Sequence, residues 1–273
     1  NQRSGFSVSK AGDVNGDGVG DLIIGAPFSA SVSGLTTAGI AYVVFGNRTT
    51  ADVYLANIVT GSKAGFRILG AAQGNVLGSS VSGAGDVNND ELDDVIVACP
   101  TADFNSRTEC GMVYILFGFT AMYFSDVMLV DFTSGEIKGF RVIGDSAYAQ
   151  LGTSISAGGH LNHDAYADVV LDSRKEGVSS AAYVVYGQSS SVSVYESDLA
   201  VQNNNVAVIF GLEAYAQNTV TIATAGDVNR DGLDDIVITA YDNAKSVAFV
   251  LYGTGAGQYN VALLSQSDHL SAG

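Results

Sequence analysis

The chain has 273 residues, enough to bury a sizeable hydrophobic core. Its 33 Gly, 2 Pro and 47% hydrophobic residues are typical of many short apolar strands joined by turns, and not of a helical bundle. The formal net charge of −16 argues against a nucleic-acid partner, because phosphate binding requires clustered Lys and Arg. No apolar run reaches the roughly 18 residues that a membrane-spanning helix needs, so no membrane insertion is expected.

The first 72 residues introduce a pattern of four short apolar runs. An alternating segment, Gly5 to Gly12, leads through a polar loop to Leu22-Ile23-Ile24. A third run, Tyr42 to Gly46, ends in an aromatic residue followed by Gly, and the fourth run spans Gly65 to Gly70. These runs are rich in β-branched residues and bounded by Gly or polar turns, so they predict four strands.

The same pattern returns three times, in approximate units 73–146, 147–213 and 214–273. The counterpart of the fourth strand in the last unit is predicted at Tyr259 to Leu264. Segments Thr50 to Ala56 and Tyr123 to Leu129 precede fourth strands and are either helical turns or extra loops. A four-stranded sheet buries both faces when it is repeated radially. The sequence therefore predicts an all-β fold, a single β-propeller domain over 1–273 with four visible four-stranded antiparallel blades.

An Asp/Asn-rich loop between the first two runs of each unit has the spacing of a calcium site. Oxygen-bearing side chains stand at loop positions 1, 3, 5 and 9, and the backbone carbonyl of position 7 adds a further oxygen. Calcium takes six to eight oxygen ligands, which makes about three Ca²⁺ sites the predicted cofactors. The predicted ligands are Asp13, Asn15, Asp17, Val19 and Asp21; Asp86, Asn88, Asp90, Leu92 and Asp94; and Asp227, Asn229, Asp231, Leu233 and Asp235.

The loop of the third unit departs from this spacing, because His160 replaces Asp at position 1. Asn162, Asp164 and Asp168 remain as candidate ligands of a weak fourth site, although a metal-free turn is the favoured interpretation. An EF-hand would require Glu at position 12, where the intact loops have Ile24, Val97 or Ile238. The loops are therefore predicted to be turns between strands.

These units resemble the FG-GAP repeat of integrin α-chain propellers and of related bacterial and protist surface proteins. Gly25-Ala26-Pro27 matches the GAP element and Phe45-Gly46 matches the aromatic-Gly ending of the third strand. The second unit has Ala98-Cys99-Pro100 and Phe117-Gly118 at these places. The third and fourth units depart, with Asp172-Ser173-Arg174 and Thr239-Ala240-Tyr241.

The resemblance implies an extracellular or cell-surface module for adhesion or ligand binding, with a protein or glycan bound at a propeller rim. Integrin-like propellers have seven blades, so two interpretations stay open: four blades that close, or part of a longer array. One alternative function is a self-assembling structural subunit of an extracellular fibre or sheath. Another is a calcium-dependent polysaccharide-active enzyme, although no catalytic residue is predicted.

Two further expectations concern covalent chemistry. Cys99 and Cys110 are the only cysteines and flank a predicted hairpin loop, so they either pair in an oxidising compartment or remain free thiols. Asn47-Arg48-Thr49 is the only N-glycosylation sequon, which alone is weak support for a glycoprotein.

Overall fold

The computed structural model describes residues 3–30, 34–49, 52–121, 124–134, 137–175, 178–196, 206–210, 219–242, 245–254 and 259–260. Within these ranges the chain is all-β, with four sheets and two short 3-10 turns at Leu55–Asn57 and Leu129–Ser134. The predicted all-β class is therefore confirmed.

The four sequence repeats each begin a separate sheet, and we refer to them as units 1 to 4. Unit 1 contains β1 (Ser7–Gly12), β2 (Asp21–Ala26), β3 (Ile40–Val44) and β4 (Gly65–Leu69). Unit 2 contains β5 (Val81–Gly85), β6 (Asp94–Cys99), β7 (Met112–Leu116), β8 (Val127–Met128) and β9 (Gly139–Ile143). Unit 3 contains β10 (Ile155–Gly159), β11 (Asp168–Lys175), β12 (Val178–Val185), β13 (Val194–Tyr195) and β14 (Val206–Phe210). Unit 4 contains β15 (Thr219–Gly226), β16 (Asp235–Asp242), β17 (Lys245–Leu251) and β18 (Tyr259–Asn260).

Within each unit the long strands pair antiparallel in chain order, as the repeat predicts. The first pair of every unit carries a register shift just before the polar loop, between Lys10 and Gly12 in unit 1. Gly12 has a φ of 78°, and a Cβ atom there would overlap the Asp93 side chain. The bulge thus turns the chain into the loop and allows the next unit to approach closely.

Three two-residue strands leave their own unit and pair with the preceding one, and we call β8, β13 and β18 the cross-strands. β8 pairs parallel with β4, β13 with β9, and β18 with β14. The first three sheets are therefore five-stranded, whereas four-stranded blades were predicted; the described part of the fourth sheet is β15-β16-β17. Each cross-strand occupies an edge that would otherwise present unpaired N–H and C=O groups.

The cross-strands also correct the interpretation of three segments. Tyr259 and Asn260 do not form the fourth strand of unit 4, because they add to β14 of unit 3; residues 261–264 lie outside the described ranges. The segment ending at Leu129 is neither a simple helical turn nor a plain loop, since it contains β8 and the start of a 3-10 turn. In unit 1 the corresponding 3-10 turn begins at Leu55; residues 50 and 51 lie outside the described ranges.

The hydrophobic core lies between neighbouring units. Ile23 and Val43 of unit 1 pack in one cluster with Val95 and Tyr114 of unit 2, and two further clusters join unit 2 to unit 3 and unit 3 to unit 4. The innermost strands β1, β5, β10 and β15 all line one cavity of about 780 Å³. The sheets therefore pack face to face in chain order around this cavity, the packing that the radial-repeat prediction requires.

Candidate functional site

The polar loop of unit 1 is a compact turn in which side-chain oxygens hold backbone N–H groups. Asp13 accepts hydrogen bonds from the Asp17 N–H at 3.0 Å and from the Gly18 N–H at 2.8 Å. Asn15 Oδ1 accepts from the same Asp17 N–H at 2.9 Å, and Asn15 Nδ2 donates to the Asp17 carboxylate at 3.1 Å. Positions 1, 3 and 5 of the predicted site are thus brought together on one exposed turn.

The loops of units 2 and 4 reproduce these contacts. Asp90 N–H donates to Asp86 and Asn88 at 3.0 Å, and Asp231 N–H donates to Asp227 at 3.1 Å and Asn229 at 3.0 Å. At position 7, the N–H groups of Val19, Leu92 and Leu233 each donate to the carboxylate at position 5, at 2.9–3.0 Å.

The turn requires left-handed backbone at loop positions 4 and 6. Gly16 and Gly18 fill these positions in unit 1, with φ of 73° and 79°. Unit 2 has Asn89 and Glu91 at these positions, with φ of 58° and 72°. Unit 4 has Arg230 at position 4, with φ of 64°, and Gly232 at position 6. A residue other than Gly in this conformation is strained by about 1–3 kcal/mol and keeps it only where its surroundings impose it. The hydrogen bonds of the loop therefore outweigh the backbone preference of these three residues.

The position-9 aspartates are buried behind the turns. Asp21 accepts from the Val14 N–H at 2.9 Å and the Gly46 N–H at 2.9 Å, and Asp94 and Asp235 make equivalent pairs of contacts. Desolvation raises the pKa of Asp21 to about 6 and that of Asp94 to about 7, although the N–H donors oppose this shift. Each of these carboxylates therefore joins its loop to the end of the third strand.

The loop of unit 3 keeps only part of this arrangement. Asn162 and Asp164 make the contact between positions 3 and 5, and Asp168 is buried with its pKa raised by desolvation to about 7. His160 instead places its Nδ1 atom 3.1 Å from the carbonyl oxygen of Tyr166 at position 7, so an imidazole nitrogen lies against the backbone oxygen that would face an ion in the intact loops. The predicted weak fourth site thus has fewer oxygens directed at the turn than its three counterparts.

The chemistry of the three intact loops fits a hard cation. Every side-chain oxygen named above accepts an N–H donor, and a carboxylate oxygen has a second lone pair that remains available for an ion. Across the described ranges, no three His, Cys, Asp or Glu side chains converge on one point. The loops therefore present separate oxygens around a turn, with two carboxylates at positions 1 and 5 and a third buried behind them.

The repeat pattern did not predict a hydrogen-bonded contact between the polar loops of neighbouring units. The Asp93 carboxylate accepts from the Asp13 N–H at 2.7 Å, and Asp93 N–H donates to the Asp13 carbonyl at 3.2 Å. Asp234 makes the same two contacts with His160 of the preceding unit, at 2.8 and 3.0 Å. We call Asp93 and Asp234 the loop clamps; each directly precedes a position-9 aspartate, Asp94 or Asp235, in the sequence.

A second missed contact supports the first cross-strand. Arg67 on β4 donates to Asp126, the residue before β8, through Nε at 2.9 Å and through a guanidinium nitrogen at 2.5 Å. Paired N–H donors on one carboxylate give a directional, charge-assisted contact. This ion pair fixes the start of β8 on the outer strand of the preceding unit.

The predictions about covalent chemistry stay predictions. Cys99 and Cys110 are free and buried in this structure, and burial raises the pKa of both thiols. The side chain of Asn47 accepts from the Thr49 N–H and hydroxyl at 2.9 and 2.6 Å within an exposed turn. Within the described ranges, no helix has the length and hydropathy that crossing a membrane requires.

Comparison with known protein families identifies the repeat. The family model described as FG-GAP repeat matches residues 4–44, which contain β1, the first polar loop, β2 and β3. The match includes the Gly25-Ala26-Pro27 segment and ends just before Phe45-Gly46. The finding supports an FG-GAP, integrin α-like domain.

Relatives extend the similarity to nearly the whole chain. Integrin alpha pat-2 of Caenorhabditis elegans is 24% identical, with 97% of this chain and 20% of that protein covered. Integrin alpha-8 of Gallus gallus is 25% identical, with 90% and 20% covered. Phosphatidylinositol-glycan-specific phospholipase D of Bos taurus is 34% identical over 42% of this chain and 13% of that enzyme. The chain spans about a fifth of the length of the two integrin relatives.

Proposed function

Since the chain carries an FG-GAP, integrin α-like domain, we propose that it is a non-catalytic extracellular module for adhesion or ligand binding. Its fold is a β-propeller array, and Ca²⁺ occupies the loops of units 1, 2 and 4. The calcium stiffens the turns on one rim, and a protein ligand binds at that rim. The observation that carries this proposal is the repetition of one hydrogen-bonded Asp-Asn-Asp turn in three units.

Electrostatics supports the calcium part of the proposal. Each intact loop places three carboxylates within nine residues, in a chain whose net charge is already −16. Ionised carboxylates at this spacing repel one another unless a cation neutralises them. A divalent cation bound to the turn would offset that repulsion and hold the strained residues at positions 4 and 6.

The first experiment is thermal unfolding with excess Ca²⁺ or with EGTA. A ligand that binds only the folded state stabilises it by about 2.7 kcal/mol when its free concentration is about 100 times Kd. We expect calcium to raise Tm, and we expect Asp17→Asn, Asp90→Asn and Asp231→Asn each to reduce the increase. Asp164→Asn in unit 3 is the matched control and should leave the increase nearly unchanged. An identical Tm in calcium and EGTA would remove calcium from the proposal.

The second experiment tests the ligand class. The immobilised chain is exposed, with calcium or EGTA, to a panel of purified extracellular-matrix proteins and to a glycan array. We expect calcium-dependent binding of at least one protein and no calcium-dependent glycan signal. Glycan binding without any protein binding would contradict a protein ligand. The bovine phospholipase match covers too little of either chain to carry an enzymatic proposal.

A further inference from the structure

The first two junctions between units place the same two sequence positions side by side. Where β8 joins β4, Arg67 lies beside Asp126, the residue before β8, and the two form an ion pair. Where β13 joins β9, the strand register places Arg141 beside Ser193, the residue before β13. The second junction therefore keeps the arginine but has a hydroxyl group where the first has a carboxylate.

No other carboxylate replaces the missing one at Arg141. Within the part of the chain that the structure describes, no Asp or Glu forms an ion pair with Arg141, and its buried Nε atom has no hydrogen-bond partner. Burial raises the pKa of the Tyr114 hydroxyl, and the nearby Arg141 guanidinium opposes that rise, so a neutral phenol is its polar neighbour. A buried donor without an acceptor is unfavourable, which leaves Arg141 with unused hydrogen-bonding capacity.

Aromatic rings flank the Arg141 guanidinium. Its central carbon lies 5.3 Å from the centre of the Phe104 ring and 5.8 Å from the centre of the Phe132 ring. Aromatic faces attract a cation and orient a planar guanidinium, but they carry no full negative charge. The rings therefore hold Arg141 in place without neutralising it.

Arg107 brings a second cation to the same ring. Its guanidinium carbon lies 5.5 Å from the centre of the Phe104 ring and 6.0 Å from that of Tyr195. Phe104 and Arg107 exchange two backbone hydrogen bonds, at 3.1 and 2.9 Å, across Asn105 and Ser106. Both central residues have positive φ, 48° and 67°, as a type I′ turn requires. The tight turn thus fixes Arg107 beside Phe104.

The carboxylates of this region have donors of their own. Asp103 accepts from the Glu109 N–H at 2.7 Å, and Glu109 accepts from the Gln150 amide at 2.9 Å. Glu196 accepts from the Tyr183 hydroxyl at 2.9 Å. None of the three forms an ion pair with Arg107 or Arg141 in the described ranges. Because they weaken long-range attraction of an anion, a ligand has to contact the guanidinium groups directly.

We propose that Arg141 and Arg107 bind the carboxylates of an acidic segment in a protein partner, and we call them, with Phe104 and Tyr195, the acidic-ligand site. A carboxylate of the partner takes the place beside Arg141 that Asp126 has beside Arg67. Arg141 and Ser193 are both partly exposed, so this place is approached from the surface. Tyr195 is 38% exposed and offers apolar contact next to it. An Asp or Glu side chain fits because paired guanidinium donors match a carboxylate.

The acidic-ligand site is separate from the polar loops. The polar loop of unit 2 comes directly before β6, whereas the turn from Phe104 to Arg107 follows β6, so the two lie at opposite ends of that strand. Binding at the acidic-ligand site therefore requires no calcium. Its success or failure is independent of the calcium-dependent binding proposed above.

The test follows the arginine Nε–Hε signals of the 273-residue chain by NMR after labelling with ¹⁵N-arginine. The probe is a triglutamate peptide blocked at both ends, and blocked triglutamine is its neutral control. Ionic strength is held at about 0.15 M, where screening limits repulsion from the acidic chain. We expect triglutamate to shift the Arg141 and Arg107 signals equally in calcium and in EGTA, and triglutamine to shift neither. A titration with inorganic sulfate tests the other common anionic group.

Ser193→Asp is the most informative variant, because it supplies within the chain the carboxylate that Arg67 already has. It should raise the dissociation constant of triglutamate about tenfold or more, as should Arg141→Gln, whereas Arg107→Gln should raise it about threefold. Val192→Asp is the matched control, since it adds the same charge at an exposed residue that is out of register with Arg141. It should change the dissociation constant by less than about twofold, because exposed charges are screened. Circular dichroism verifies folding, and Ser193→Asp keeps the test open if Arg141→Gln misfolds.

Three results would overturn the inference. If triglutamate shifted neither arginine signal up to its solubility limit, the aromatic rings alone would satisfy both guanidinium groups. If Ser193→Asp bound triglutamate as the wild type does, the carboxylate would contact the chain elsewhere. If sulfate shifted the two signals and triglutamate did not, the site would hold a sulfate group and not an acidic side chain.

Discussion

Backbone strain in the loops differs among units although the loops make the same hydrogen bonds. Glu91 has a φ of 72° at a position where units 1 and 4 have Gly18 and Gly232. A side chain in this conformation costs about 1–2 kcal/mol relative to Gly. We expect Glu91→Gly to raise the free energy of unfolding by about 1 kcal/mol in urea titrations, and the reverse change Gly18→Glu to lower it by a similar amount. Since a Cβ atom at Gly18 would meet only an Arg48 guanidinium nitrogen, at 4.0 Å, a loss in that variant would report on φ and not on a clash; equal stability of all three proteins would contradict this account.

Asp172 is a buried carboxyl group at the place where unit 1 has Gly25. Its Oδ1 accepts from the Ser154 N–H at 2.6 Å, and its Oδ2 has no hydrogen-bond partner in the described part of the chain. Desolvation raises the pKa of Asp172 from 3.8 to about 7. The folded protein thus binds more protons than the unfolded chain between these values, so the contribution of Asp172 to stability falls as pH rises through that window and is constant above it.

Substitution by Asn isolates this effect from the other aspartates. Asp172→Asn keeps an acceptor for the Ser154 N–H but cannot ionise. We expect the variant to gain stability relative to wild type between about pH 4 and about pH 8, by about 1.4 kcal/mol per unit of pKa difference. Urea unfolding at both pH values measures the gain. A difference between variant and wild type that does not change with pH would mean that Asp172 titrates normally in the folded protein.

At the scale of elements, the loop clamps join the start of one polar loop to the end of the next. Removing the Asp93 acceptor leaves the half-buried Asp13 N–H without its partner, which costs about 1–3 kcal/mol, whereas the exposed His160 N–H can bond to water when Asp234 is removed. We therefore expect Asp93→Ala to lower the free energy of unfolding by about 1–2 kcal/mol in urea titrations, Asp234→Ala to lower it by less, and Asp93→Asn, which keeps an acceptor oxygen, to lose less than Asp93→Ala. Asp52→Ala, at an exposed aspartate, is the control for removing one negative charge; losses equal to that control would show that the clamps contribute nothing.

The elements also show where sequence reasoning succeeds and where it stops. Long strands were predicted correctly because runs such as Ile40–Val44 carry enough β-branched residues between Gly turns to define a period. The cross-strands were not predicted, because two residues are too few to show the alternation of apolar and polar residues that marks a strand. Their pairing partners also lie in another unit, which a local pattern does not reveal. The loop clamps had a sequence signal: the residue before position 9 is Gly20, Asp93, Ala167 and Asp234 in the four units. Ala167 donates its N–H to the Asp86 carbonyl, but only the aspartates add the side-chain contact. Whether calcium binds the predicted ligands remains a prediction.

At the scale of the whole molecule, the net charge of −16 sets how stability responds to ions. Raising NaCl from about 0.01 to about 0.15 M shortens the Debye length from about 30 to about 8 Å and weakens repulsion among the surface carboxylates. In EGTA we expect Tm to rise with NaCl, by about 2–4 °C for each kcal/mol gained. KCl at the same ionic strength should act equally, whereas calcium at millimolar concentration should add a further increase. If calcium only matched NaCl of equal ionic strength, its effect would be screening and not site binding.

The cross-strands have a consequence for how the protein is made. The outer strand of unit 1 ends at Leu69, and the strand that covers its edge starts at Val127, about 60 residues later in the chain. A ribosome adds about 5–20 residues per second, so this edge waits roughly 3–12 seconds for its cover. During synthesis the most recently formed sheet therefore always has an unpaired edge strand that can pair with another chain. The sheet of each unit is complete only after most of the next unit has emerged from the ribosome. A translational pause between Leu69 and Val127 would prolong that vulnerable state, while a pause after Met128 would be harmless to unit 1.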